Sequence, residues 1–136
     1  MSRKLVIGDI HGGLKALIQV LERAKVTSDD QLVFLGDYVD GWSESAQLIA
    51  FLMKLKETHR CDFIYGNHDA WCHDWLRSGQ ANPTWLQHGG TSTIESYHKL
   101  PVEEWSNHIA FFNQMQNYLV DDKNRLFIHA GFSSMH

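Results

Sequence analysis

Leu32-Val33-Phe34-Leu35-Gly36-Asp37-Tyr38-Val39-Asp40 joins an apolar run to a glycine and two carboxylates. Consecutive apolar residues punctuated by glycine read as a short buried strand. A carboxylate just past such a strand, beside a glycine that frees the backbone, points into the crevice where open α/β sheets bind ligands. The pattern recurs on both sides. Leu5-Val6-Ile7 runs into Gly8-Asp9-Ile10-His11-Gly12, and Phe63-Ile64-Tyr65 runs into Gly66-Asn67-His68-Asp69. A fourth run, Leu126-Phe127-Ile128, ends in His129-Ala130-Gly131. Four strand-like runs thus each deliver Asp, Asn or His at their ends.

The connections set the class of fold. Residues 4–8 read as the first strand, and Leu14, Leu17, Ile18, Leu21 and Ala24 follow at helical spacing, predicting an amphipathic helix over roughly 13–25. Thr27-Ser28-Asp29-Asp30 returns the chain to a strand at 31–36. Ser43 is placed to cap the next helix, whose apolar face carries Ala46, Leu48, Ile49, Leu52, Met53 and Leu55, before a strand at 62–66. This β-α-β-α-β order predicts parallel strands, right-handed crossovers and an α/β fold. The stretch 69–100 is less regular. Trp71, Cys72, Trp75 and Leu76 imply a short helix, Gly79 to Pro83 is loop-like, and Gly89-Gly90 is a further break. Pro101 suits the first turn of a helix reaching about Gln116. Tyr118-Leu119-Val120 and Leu126-Phe127-Ile128 flank Asp121-Asp122-Lys123-Asn124 as a hairpin. No repeat or linker interrupts the chain, so residues 1–136 read as one domain.

Composition narrows the function classes. With a formal net charge of -4 there is no basic stripe to hold a nucleic-acid backbone. A small phosphate substrate is compatible with that charge, because bound divalent cations would dominate the local field. Cys61 and Cys72 are the only cysteines and form no CxxC pair, which fits reduced thiols and a cytoplasmic location. The apolar run after the basic N-terminus stops at Gly8, too short for a signal peptide or a membrane span.

A single Asp-x-His is more often a turn carboxylate with a surface imidazole, and Gly-Asn-His alone is an ordinary tight turn. Four coincidences at one structural position point instead to a metal site. Asp9, His11 and Asp37 make one mixed oxygen and nitrogen set, and Asp37, Asn67 and His129 a second, with Asp37 as the bridge. Without a thiolate the set suits Mn²⁺, with Fe or catalytic Zn²⁺ as other occupants. Two such ions, about 3.5–4 Å apart, would lower the pKa of a shared water and orient a phosphate for in-line attack by the hydroxide between them. His68 could then protonate the leaving oxygen, with Asp40 orienting its ring.

These blocks resemble, in order, the motifs of the calcineurin-like metallophosphoesterases. The similarity is greatest to the phosphoprotein phosphatase branch, which includes serine/threonine phosphatases and diadenosine tetraphosphate hydrolases. Trp85-Leu86-Gln87-His88-Gly89-Gly90 with Thr93, Ser96 and Tyr97 is similar to a stretch of the bacterial members. The resemblance implies a β-sheet sandwich flanked by helices and two divalent ions. It implies Asp9, His11 and Asp37 on one ion, Asp37, Asn67 and His129 on the other, and His68 with Asp40 as the catalytic pair. The implied activity is hydrolysis of phosphomonoesters, on phosphoproteins or small molecules; a dinucleoside polyphosphate hydrolase and a non-catalytic metal-binding fragment are the alternatives.

Three departures stand out. Gly41-Trp42 occupies the place of the branch's Arg-Gly, removing the expected bidentate phosphate clamp, and Arg60 and Arg77 read as solvated surface residues rather than substitutes. Asp69 stands for the usual Glu. The chain stops at His136, before the family's Gly-His block and the rest of its second sheet. A C-terminally truncated domain is therefore expected, with three protein ligands at the second ion and His136 as a frayed end. Apolar sheet surface left exposed would favour self-association.

Overall fold

The computed structural model describes residues 2–130. Gly131 and His136, both singled out in the sequence, lie outside them. Strands β1 (Lys4–Ile7), β2 (Gln31–Phe34) and β3 (Arg60–Phe63) form a parallel sheet in the order β1-β2-β3. The register pairs Ile7 with Phe34 and Phe34 with Phe63, so all three strands end at the same edge. Central β2 is the apolar run of the sequence, and Leu32, Val33 and Phe34 are fully buried. Edge strand β1 leaves Val6 half-exposed. Helices α1 (Leu14–Arg23) and α2 (Ser45–Thr58) make the two crossovers. Four apolar α2 side chains, Ala46, Leu48, Ile49 and Leu52, are fully buried.

Helix α3 (Asn67–Ser78) begins directly after β3, and one helical turn, α4 (Pro83–Trp85), follows a loop. A π-type turn over Leu86–Gly90 then leads into α5 (Thr91–His98), and α6 (Val102–Asn113) follows. The break expected at Gly89 is real, with φ at +102°, but 83–98 is helical on both sides of it. The fragmented apolar pattern of this stretch hid α5, whose buried face is the polar-edged set Thr93, Ser96 and Tyr97. Strands β4 (Tyr118–Val120) and β5 (Leu126–Ile128) pair antiparallel as the expected hairpin. Among the described residues they are the whole of the second sheet.

Local boundaries moved for identifiable reasons. The third strand ends at Phe63 rather than 66, because Tyr65 N donates to Gln116 O at 2.8 Å and turns the chain toward the hairpin. That engagement also ends α6 at Asn113 instead of Gln116. Pro101 is the residue before α6 rather than within its first turn. Ser43 does not cap α2; Ser45 Oγ instead accepts from the Asp40 amide at 3.0 Å. Both cysteines are free, and burial pushes the Cys61 thiol up to about 11, so neither is a poised thiolate. Among the described residues no helix is long and apolar enough to cross a membrane.

Candidate metal centre

Because the strands end in register, the loops after β1 and β2 lie side by side, and backbone hydrogen bonds lace them together. The amides of Ile10 and His11 both donate to Asp37 O at 3.0 Å, Gly12 N to Tyr38 O at 2.7 Å and Trp42 N to His11 O at 2.9 Å. His11, Asp37 and Asp40 all adopt positive φ, at 50°, 57° and 75°. Such geometry in non-glycine residues costs on the order of 1–3 kcal/mol each and persists only where the surroundings enforce it. At Asp37 the enforcement comes from Asp69, fully buried in the first turn of α3, and at Asp40 from Ser45 Oγ and Thr93 Oγ1, which accept from its amide. The Asp69 carboxylate accepts from the amides of Asp37 at 2.7 Å, Tyr38 at 2.9 Å and Gly66 at 2.9 Å. Burial pushes the Asp69 carboxyl up to about 8, against the lowering pull of these donors. Gly66 sits so close that a Cβ there would clash with Asp37 Oδ1.

Asp37 is the centre of the resulting cluster. Ligand atoms of Asp9, His11 and Asp37 all lie within 4.8 Å of one another. His11 Nε2 is 3.6 Å from Asp9 Oδ2 and 3.8 Å from Asp37 Oδ2. From the other side, His129 Nε2 is 3.2 Å from Asp37 Oδ2 and 3.2 Å from Asn67 Oδ1. The structure thus gathers Asp9, His11, Asn67 and His129 around the buried Asp37 carboxylate. Both imidazoles are anchored the same way: His11 Nδ1 lies 2.8 Å from Val39 O, and His129 Nδ1 2.9 Å from Leu35 O. A carbonyl only accepts, so each Nδ1 carries the proton and each Nε2 turns a lone pair on the cluster. This is how metal-ligating histidines are oriented. Among the described residues, the ion-pair partners of Asp9, Asp37 and Asp40 are all histidines. A buried carboxylate without a cationic partner is costly, and divalent cations fit the Asp37 cluster by charge and by donor type.

His68 lies beside this cluster, its ring 5.0 Å from that of His11 and perpendicular to it. Its Nδ1 is 2.6 Å from Asp40 Oδ2, which also accepts Trp85 Nε1–H at 2.7 Å, while Thr93 Oγ1–H binds Asp40 Oδ1. Asp40 is almost fully buried, and these donors hold its charge in place. Gly89, at its positive φ, makes that approach possible: a Cβ there would meet Gly41 N at 3.0 Å. Trp85 and Thr93, with Asp69, are the positioning residues that reading the sequence motif by motif missed. In the sequence Trp85 and Thr93 stand out only within the stretch similar to the bacterial members, and Asp69 only as an exchange for the usual Glu. Arg77 pairs with Asp74 on the surface and Arg60 bonds Asp29 O, so neither takes the place of the absent clamp.

Comparison with known proteins agrees with this geometry. The profile of the calcineurin-like phosphoesterases matches residues 2–136. The chain belongs to that family. The bis(5'-nucleosyl)-tetraphosphatase PrpE (asymmetrical) of Oceanobacillus iheyensis is 28% identical over 140 residues, covering 93% of this chain and 55% of the relative. The serine/threonine-protein phosphatase 4 catalytic subunit of Eremothecium gossypii is 35% identical over 66 residues, covering 47% of this chain and 21% of its own length. A metallophosphoesterase structure from Sphaerobacter thermophilus superposes with a TM-score of 0.57 at 22% identity, over 87% of this chain and 42% of that one. A serine/threonine phosphatase structure from Saccharomyces cerevisiae gives 0.61 at 18% identity, over 93% and 40%. The chain spans about half the length of the PrpE relatives it matches.

Proposed function

We propose that this chain carries the ligand set and proton donor of a metal-dependent phosphoesterase acting on phosphomonoesters. The single observation behind the reading is the buried Asp37 carboxylate, faced from two sides by imidazoles whose outer nitrogens are fixed by backbone carbonyls. Asp9, His11 and Asp37 would hold one divalent ion, and Asp37, Asn67 and His129 the other, with Mn²⁺ the occupant best suited to this donor set. Bound there, the ions supply an activated water and neutralise the phosphate oxygens.

The chain's own residues do the rest. His68 donates Nδ1–H to Asp40, which fixes the ring so that its imidazolium form presents Nε2–H to the leaving group. As the phosphorus–oxygen bond breaks, the departing alkoxide takes that proton and water's oxygen joins phosphorus; one of the water's protons stays on the phosphate product and the other, through solvent, restores His68. Asp40 is a positioning residue, held against Trp85 and Thr93 so that the ring does not turn. Asp69 fixes the Asp37 backbone from the opposite side.

A dinucleoside polyphosphate substrate is the second reading, favoured by the PrpE relatives, which align with 93% of this chain. The test is hydrolysis of an aryl phosphate with added Mn²⁺ by this chain and its Asp37→Asn and His68→Ala variants. Turnover that requires metal, vanishes in the first variant and falls about 10²–10⁴-fold in the second is the expected result. Metal binding without turnover would make this chain a binding fragment that needs the remainder of the relatives' length.

A further inference from the structure

The 2.6 Å hydrogen bond between His68 Nδ1 and Asp40 Oδ2 constrains one atom of the ring but not the tilt of its plane. Nε2, on the far side of the ring, is the atom that meets the leaving oxygen, and a tilt moves it most. A misplacement of about 1 Å there is worth as much as 10²-fold in rate. Two other rings pack against His68. One is His11, itself held through Val39 O. The other is Trp71, three residues further along α3 and so on the same side of the helix. Its ring centroid is 5.3 Å from that of His68 with the planes at 79°, a perpendicular arrangement that aromatic pairs favour. Trp71 is half-buried and packs on the core, and its second ring neighbour is His88, 6.2 Å away at 35°. His88 donates Nδ1–H to Thr84 O at 2.7 Å, so its ring is tied to the turn that carries it. The same turn sets Gly89 against Asp40, and Trp85 just before it bonds Asp40. Residues 84–89 thus reach His68 by two routes, through Asp40 to Nδ1 and through Trp71 to the ring plane.

We infer that Trp71 is a positioning residue for the proton donor: it holds the plane of the His68 ring so that Nε2–H lines up with the departing oxygen, and His88 braces it. This rests on the phosphoesterase reading and adds a residue to its machinery. Because Trp71 acts through His68, its contribution scales with how much the leaving group needs a proton. An alkyl phosphate, which releases a strongly basic alkoxide, depends on that proton more than an aryl phosphate does.

The test uses two variants and two readouts. Trp71→Leu keeps apolar bulk against the core and loses the flat ring, whereas Trp71→Phe keeps a ring. With Mn²⁺ present, Trp71→Leu should lower kcat about tenfold on an aryl phosphate and up to about 10²-fold on glycerol 2-phosphate. KM should stay unchanged on both substrates, and Trp71→Phe should recover most of the loss. An equal loss on the two substrates, or a raised KM in place of a lowered kcat, makes Trp71 a packing or binding residue and overturns the inference. The second readout needs no turnover. With diamagnetic Zn²⁺ added, the proton NMR spectrum should show the His68 Nδ1–H downfield of the amides, identified by its absence from His68→Ala. Trp71→Phe should keep that signal, and Trp71→Leu should lose it to solvent exchange. Its absence from wild type, or its unchanged persistence in Trp71→Leu, overturns the inference. Its loss in Trp71→Leu, in a chain that hydrolyses no phosphate ester, upholds the positioning of His68 and overturns the phosphoesterase reading instead.

Discussion

At the N-terminal ends of the parallel strands, Asp30 meets Arg3 at 2.9 Å, and Asp121 meets Lys4 at 2.8 Å and Arg125 at 2.7 Å. At the C-terminal ends of the same strands, Asp9, Asp37 and Asp40 face only histidines as ion-pair partners among the described residues. One end uses its carboxylates to tie the termini of the sheet and the hairpin together. The other leaves carboxylates converging on each other across imidazoles, an arrangement that divalent cations would stabilise. Buried charge left uncompensated is expensive, so the pairing at one end and its absence at the other separate charges kept for structure from charges kept for chemistry.

Breaking that contrast at its strongest point should give the largest effect. In urea unfolding, wild-type chain should gain about 2.7 kcal/mol when Mn²⁺ is raised to a hundredfold excess over its Kd. Asp37→Asn should lose most of that gain, yet unfold no more easily than wild type without metal, because the substitution relieves carboxylate crowding. An undiminished metal response in the variant would remove Asp37 from the shared position. The next effect down concerns Asp40, whose carboxylate has side-chain donors in His68, Trp85 and Thr93. Asp40→Asn preserves the shape of the contacts to His68, Trp85 and Thr93 and removes the charge. It should lower kcat about 10–100-fold while leaving the metal-induced stabilisation in place. Loss of both together would mean that Asp40 shapes the metal loops rather than the ring of His68.

The metal end was far more legible in the sequence than the scaffold behind it. Asp9, His11, Asp37, Asn67, His68 and His129 follow strand-like runs in a repeated pattern; parallel pairing in register brings the first five together, and His129 comes from the end of the antiparallel hairpin. The apolar run at β2 fixed the centre of the sheet for the same reason. What supports those residues was hidden. Trp85 and Thr93 are 45 and 53 positions from Asp40, and no local periodicity encodes a contact across that separation. Asp69 looked like a motif ending, but its three amide partners come from two different loops. Helix α5 escaped because its buried face includes Thr93 and Ser96, polar side chains satisfied by distant backbone and side-chain partners rather than by water.

The smallest effect belongs to the paired end, and its sign is fixed by linkage. The Arg3 guanidinium, with the Thr27 amide, holds the Asp30 carboxyl well below the usual carboxylate range. A group whose folded pKa is depressed adds stability above its unfolded pKa and loses it as pH falls through the folded value. Arg3→Met should therefore lower the urea midpoint slightly at pH 7. The gap to wild type should hold down to about pH 4, the unfolded carboxylate value, and close progressively below it. Arg3 is half-exposed, so the difference stays small and shrinks further in high salt. A gap unchanged at pH 2 would mean that Arg3 acts through the packing of its stem and its bonds to Ala24 and Lys25 carbonyls. The N-terminal end would then owe its order to those contacts, and charge pairing would no longer distinguish it from the metal end.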